Sequence, residues 1–186
     1  MTAPLLAIAA IALGVLGWGV AAFNRLVRLR NQVRTAWADV DVQLMRRHDL
    51  VPQLASAVAA YAEHERATLE AVTALRARAG ATVDPAALGE IETALAAGLA
   101  RLVALHEAYP ALAASEGFLQ LQRDLVEVEA QLQYARRFYN GAVRDLNDAV
   151  QRVPDTWVAR ATGIGPAAFF QAGEASRAPA AVGSGA

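Results

Sequence analysis

PLLAIAAIALGVLGWGVAAF, residues 4–23, contains no charged side chain, and no Asp, Glu or Arg stands before Arg25. About 20 apolar or glycine residues, rising about 1.5 Å each, match the roughly 30 Å hydrocarbon core of a bilayer. The stretch therefore reads as a membrane-spanning helix. A cleaved signal peptide would carry positive charge ahead of a shorter apolar region, whereas only the α-amino group of Met1 precedes this one. Arg25, Arg28, Arg30 and Arg34 crowd the exit of the span. By the positive-inside rule, a short amino terminus lies outside and the remainder in the cytoplasm. The same four arginines are candidates for contact with anionic lipid headgroups, each contributing about 1 kcal/mol near such a surface. Within the span, Ala10, Gly14, Gly17 and Ala21 share one helical face, an arrangement that lets two helices approach closely in lipid.

Working outward, Leu26, Leu29, Val33, Trp37, Val40 and Leu44 step by three or four and form one amphipathic stripe. No Gly or Pro occurs between Gly19 and Pro52, so span and stripe are expected to form one rod. Pro52 lacks an amide hydrogen and crowds the preceding turn, which predicts a kink or restart near His48 to Pro52 with Asp49 as cap. The stripe resumes at Leu54, Val58 and Tyr61 and again at Leu69, Val72 and Leu75. AGATVD, residues 79–84, is the first clear break: Gly80 ends one helix, and Asp84 followed by Pro85 caps the next. That helix carries Leu88, Ile91, Leu95, Leu102, Leu105 and Tyr109 and is expected to close at Pro110. Ser115 caps a final long helix whose apolar positions run from Phe118 to Val150 with coiled-coil spacing, and Pro154 ends it.

Strand signals are nearly absent. The pattern predicts an all-α protein, with a single N-terminal transmembrane helix (residues 1–23) continuing into an antiparallel bundle of three to four long helices (24–154). Residues 155–186, rich in Gly, Ala and Pro, are expected to form a mostly flexible tail. Within it, Trp157, Phe169 and Phe170 are expected to dock on the bundle, with insertion at the membrane interface as the alternative.

The composition excludes much chemistry. Seventeen basic residues, all arginine, against eighteen acidic ones give a formal charge of −1 over 186 residues, which disfavours a nucleic-acid binder. With no cysteine there is no disulfide, thiolate metal site or cysteine nucleophile. No Glu has His three residues later, as a di-iron bundle requires. His64-Glu65 and His106-Glu107 begin like a zinc-protease helix but lack the second histidine. Gly183-Ser184-Gly185 lacks the glycine two residues before serine that a nucleophile elbow needs. Glu127 and Glu129 point apart on a helix and read as a solvated face, and the three histidines read as surface residues. The expectation is no enzyme, no cofactor and no metal.

Polar residues beside the apolar seams are more informative. Asn24, Asp41, Arg47, Asp49, Arg136, Tyr139, Asn140 and Asn147 all lie there, where a polar group can fix helix register or oligomer state.

The run from Asn24 to Glu65 resembles the signature region of the LemA family. The resembling features are Asn24, Leu26, Leu29, Arg30 and Asn31; Ala36-Trp37; Asp41-Val42-Gln43-Leu44; Arg46-Arg47 with Asp49-Leu50 and Pro52; and Tyr61 with His64-Glu65. Glu107-Ala108-Tyr109-Pro110, Phe118-Leu119 with Leu121-Gln122, and Ala135-Arg136 with Tyr139-Asn140, Val143 and Asn147 continue it. So do Phe169-Phe170 and Arg177-Ala178-Pro179 in the tail. Leu146 stands where the family usually has an aromatic, Ala130 where it often has Asn, and the segment 173–177 is less acidic. The resemblance implies a single-span membrane protein with long helices and no established enzymatic activity. As to partners, the resemblance implies an association with membrane compartment formation and with other membrane proteins, including membrane metallopeptidases, beside which relatives are often encoded.

The combined expectation is a membrane-anchored scaffold or adaptor whose partners are the lipid bilayer, further copies of itself and other membrane proteins. Trp37, Asp41, Arg47, Asp49 and Pro52, with Arg136, Tyr139 and Asn140 on the last helix, are its candidate interaction residues. A membrane module that senses a small solute between the helices is the alternative.

Overall fold

A computed structural model describes residues 2–170, with side chains from residue 4 onward, Glu63 apart. Helix α1 runs Thr2–Ala59, α2 Arg66–Gly80, α3 Pro85–Ala104, α4 Pro110–Ala113, α5 Glu116–Gln151 and α6 Asp155–Thr162. No strand occurs among the described residues. The chain divides into two compact units. The first joins residues up to Asp41 with Ala135–Ala168, and the second joins Val42–Tyr134 with Phe169 and Phe170.

In the second unit, Val51, Leu54 and Val58 of α1 meet Val72 of α2, Leu95, Leu99 and Leu102 of α3, Leu112 of α4, and Phe118 and Leu125 of α5. The residues of α1, α3 and α5 recur at three, four or seven residues, so each of these helices contributes one stripe. Full burial of such a side chain stabilises by about 1.5–3 kcal/mol. At Gly98 of α3 a Cβ would lie 2.7 Å from Cγ2 of Val72, so the approach of α2 and α3 requires glycine there.

The expected restart at Pro52 does not occur: α1 runs through it as one helix to Ala59. Proline removes the N–H that would have bonded the carbonyl of His48, four residues earlier. Nε of Arg76, from α2, donates to that carbonyl at 2.8 Å. A side chain from a neighbouring helix thus replaces the missing backbone donor. Asp49 caps nothing with its side chain. It is exposed, and its carbonyl accepts from Nε2 of Gln53 at 2.9 Å.

Other boundaries divide similarly. Asp84 caps α3 as expected, its Oδ2 accepting from the amide of Ala87 at 2.8 Å, with Pro85 in the first turn. Oγ of Ser115 lies 3.4 Å from the amide of Phe118 at the start of α5. The break between Ala59 and Arg66, occupied by a 3-10 turn at Glu63–Glu65, carries no Gly or Pro and was not expected. Helix α3 stops at Ala104 and passes into a 3-10 turn at Leu105–Glu107, while Pro110 begins α4 rather than closing α3.

In the first unit, Leu26, Val33, Ala36 and Val40 of α1 are buried, as are Tyr139, Ala142, Val143, Leu146, Ala149 and Val150 of α5. Trp37 stacks on Tyr139, and Arg25 pairs with Asp155 at the start of α6. Partner numbers fall as α1 numbers rise, so α1 and the returning chain are antiparallel. Gly163, with φ +68°, ends α6 in the left-handed conformation that side chains disfavour. Ile164 beyond it is buried.

The first sixteen residues of the expected tail hold α6 and a hydrogen-bonded segment that returns along α5. Bonds from Asn147 and Tyr139 to its backbone, together with buried Ile164 and Phe170, hold it without a helical period, which is why a periodic apolar pattern does not reveal it. The rest of the expected tail, including Arg177-Ala178-Pro179 and Gly183-Ser184-Gly185, lies outside the described residues.

The substitution for the Pro52 amide is testable. Arg76→Ala is expected to destabilise the protein by about 1–3 kcal/mol, because it leaves the His48 carbonyl without a donor. In a Pro52→Ala background, where the amide is restored, the same change should cost distinctly less. Chemical denaturation of the four proteins gives the coupling, and additive effects would refute it.

Candidate functional site

The polar centre of the second unit is Arg47, on α1, whose side chain is 1% exposed. Nη1 donates to Oε2 of Glu92 at 2.8 Å and approaches the backbone carbonyl of Glu92 at 3.3 Å. Oε1 of Glu129, on α5, stands 2.9 Å from Nε. That contact lies off the N–H direction, leaving Nε without an aligned hydrogen bond and Nη2 without any. It is Coulombic attraction more than a directed bond.

Glu92 is fully buried on α3, and its second oxygen, Oε1, meets Nε2 of His48 at 2.6 Å. One guanidinium and one imidazole from adjacent positions on α1 therefore occupy both oxygens of a carboxylate that has no access to water. Arg46 adds a looser, exposed pair with Glu127 at 3.8 Å.

The first unit has a different polar device. The carboxamide of Asn147, on α5, binds the backbone of Ala167 in both directions: Nδ2 donates to its carbonyl at 3.0 Å, and Oδ1 accepts from its amide at 2.8 Å. The hydroxyl of Tyr139 donates to the carbonyl of Ala168 at 2.8 Å. Two α5 side chains thus satisfy consecutive residues of a segment that has no secondary structure to satisfy them. The Tyr139 ring also lies 5.1 Å from Trp37, tilted by 60°, a geometry worth about 0.5–1.5 kcal/mol beyond burial.

The expected interaction residues are thus divided. Arg47 is the centre of a buried charge cluster, while Trp37, Tyr139 and Asn147 form the core and clamp of the first unit. Asp41, Asp49 and Pro52 are exposed, and Arg136 and Asn140 are half-buried and engaged in contacts. Sequence reasoning missed Glu92, which sits inside an apolar run of α3, and it misread Glu129 and His48 as solvated. A signal was present for Glu92: it follows Leu88 by four residues and precedes Leu95 by three, which places it in the buried stripe.

Among the four arginines beyond the apolar stretch, Arg28 and Arg34 are exposed. Arg25 spends one arm on Oδ2 of Asp155 at 2.8 Å, and Nε of Arg30 is buried. The headgroup role expected of all four is therefore open to Arg28 and Arg34 without competition. Leu5, Leu6, Ile8, Ile11, Leu13, Val15, Leu16, Trp18, Val20 and Phe23 are all exposed, and Gly14 and Gly17 have open space where a Cβ would stand. The face carrying Ala10, Gly14, Gly17 and Ala21 is uncovered.

Chemically, the buried cluster is a lock. Among the described residues no three metal-ligating side chains gather. Between Glu92 and Glu129, where a carboxylate-bridged cation would sit, stands the guanidinium of Arg47. Breaking such a buried pair from one side leaves an uncompensated charge.

Arg47→Met should lower stability by about 3–5 kcal/mol, whereas Arg47→Met with Glu92→Leu should recover most of that loss. Equal melting temperatures for the single and double variants would contradict it. Asn147→Ala should release Ala167 and raise amide hydrogen exchange across residues 163–168 while the α5 amides stay protected. Unchanged exchange there would show that the carboxamide does not hold the segment.

No curated protein matches this chain. A family model does, that of the LemA family, over residues 36–183, which takes in the Arg47 cluster, the α5 clamp and α6. With most of its length matched from Ala36 onward, the chain belongs to the LemA family.

Proposed function

We propose that this LemA family protein is a membrane-anchored helical adaptor, non-enzymatic, whose helices present a surface to further copies of itself and to other membrane proteins. The observation that carries the membrane reading is the beginning of α1. It contains a window of mean hydropathy 2.3, long and apolar enough to cross a bilayer, and only 6% of that window is buried within the protein. A soluble core helix of the same composition would be covered by its neighbours. This one is left almost bare, and such a surface in water is strongly unfavourable.

The proposed orientation, with the folded units in the cytoplasm, is supported by Arg25, Arg28, Arg30 and Arg34, which follow the stretch directly, through the positive-inside rule. Self-association is supported by apolar side chains that the second unit leaves exposed: Val42 and Met45 on α1, and Val126 and Tyr134 on α5. The uncovered small-residue face of the span offers a second route to pairing within the bilayer.

Fractionation and labelling test this reading. The chain should stay with membranes through an alkaline carbonate wash and leave them in detergent. Because it contains no cysteine, Ala100→Cys supplies one exposed thiol, which an impermeant maleimide should label only after the membrane is opened. In detergent the particle mass should exceed one chain and fall toward it in Val126→Asp with Tyr134→Ser. Recovery from the aqueous fraction would overturn the anchor, and a monomer without companions would overturn the adaptor.

A further inference from the structure

We infer that α6 is a second membrane contact: an interfacial helix whose exposed face, Trp157 and Arg160, rests on the anionic headgroup layer beside the exit of the apolar helix. The inference relies on the membrane reading above and adds a site to it. Its first support is position. Arg25 lies two residues beyond Phe23, the end of the uncharged stretch, so about 3 Å further along the α1 axis. Asp155, the first residue of α6, holds that arginine at 2.8 Å. Helix α6 therefore begins at the level where the apolar stretch ends.

Topology gives the second support. Tyr139 packs on Trp37, and α5 runs from there antiparallel to α1 toward Arg25. After α6 the chain comes back, with Ala167 on Asn147 and Ala168 on Tyr139. Helix α6 is thus the reversal at the apolar end of this unit. Burial agrees: Ala22 is 5% exposed and Leu26 is fully buried, so packing reaches into the last turn of the uncharged stretch.

The third support is the face α6 leaves open. Asp155 and Ala159 are buried on one side, while Trp157 on the other is 63% exposed and Val153, just before the helix, is 64% exposed. Exposed indole and valine are costly in water, whereas an indole at the headgroup level satisfies its apolar body and its N–H together. Arg160 shares the exposed face and Arg152 precedes it, both open to solvent. Asp155 is committed to Arg25, leaving exposed Asp145 and Asp148 of α5 against exposed Arg144, Arg152, Arg160 and Arg28. The balance is cationic and complements anionic lipid.

Depth-resolved fluorescence quenching tests this in the full chain. Trp18→Phe with Trp37→Phe leaves Trp157 as the sole indole, and Trp37→Phe with Trp157→Phe leaves Trp18. Each is reconstituted into phosphatidylcholine–phosphatidylglycerol vesicles bearing bromine either near the glycerol end or near the middle of the acyl chains. Trp157 should lose fluorescence to the shallow label more than to the deep one, and Trp18 should be quenched from within the chains. If Trp18 is quenched while Trp157 is untouched by either label, or is quenched more by the deep one, the interfacial helix is wrong and the anchor stands. If neither indole is quenched, the anchor itself fails and α6 with it.

Discussion

A guanidinium with 1% of its surface in contact with solvent demands that the protein around it be arranged to suit. Removing such a charge from water costs several kcal/mol unless opposite charge and hydrogen bonds replace the lost hydration. Arg47 obtains both from helices distant in sequence, Glu92 on α3 and Glu129 on α5. Only one rotation and one axial position of α1 bring its Nη1 to Glu92 and its Nε toward Glu129. An apolar stripe would tolerate slippage by a turn, since one leucine serves nearly as well as another. The ion cluster does not, and it supplies the second unit with the register that leucines and alanines leave underdetermined. This specificity is bought with a buried donor, Nη2, that has no partner.

The same logic explains which parts of the molecule were legible in the sequence. The helices were, because α1, α3 and α5 each carry apolar residues at helical spacing and because Asp84 with Pro85 is a start signal with a mechanism. The uncharged opening was, since nothing but composition is needed to see it. Pro52 misled because a local rule was met by a distant remedy: the donor for His48 comes from Arg76, 28 residues on, and no local pattern announces it. The break after Ala59 was invisible for the opposite reason, having no glycine or proline to mark it. In the tail, two backbone-directed side chains, Asn147 and Tyr139, order a segment without any periodic face.

For the site, the sequence identified the right kind of residue but not its partners. Arg47 was visible as a charge at a seam, whereas Glu92 and Glu129 become its partners only when α3 and α5 are placed around it. Their involvement also changes what the bundle can do. Carboxylates on neighbouring helices invite thoughts of metal or acid–base chemistry, but here one arginine and one histidine occupy both oxygens of the buried Glu92. Groups so thoroughly engaged hold structure.

Where the uncharged stretch meets the folded part of the first unit, there is no room for a linker. Ala22 is already buried, Phe23 is still exposed, and Arg25 is in an ion pair, all within one turn of the same helix. A flexible tether would let an anchored domain turn freely over its membrane. Here the first charged residue after the stretch is bonded to the start of α6, so the helix that would enter the bilayer and the helix that closes the unit are held together at their junction. The exposed Val153 and Trp157 lie at that same junction, so apolar surface continues from α1 onto the end of the unit that α6 closes.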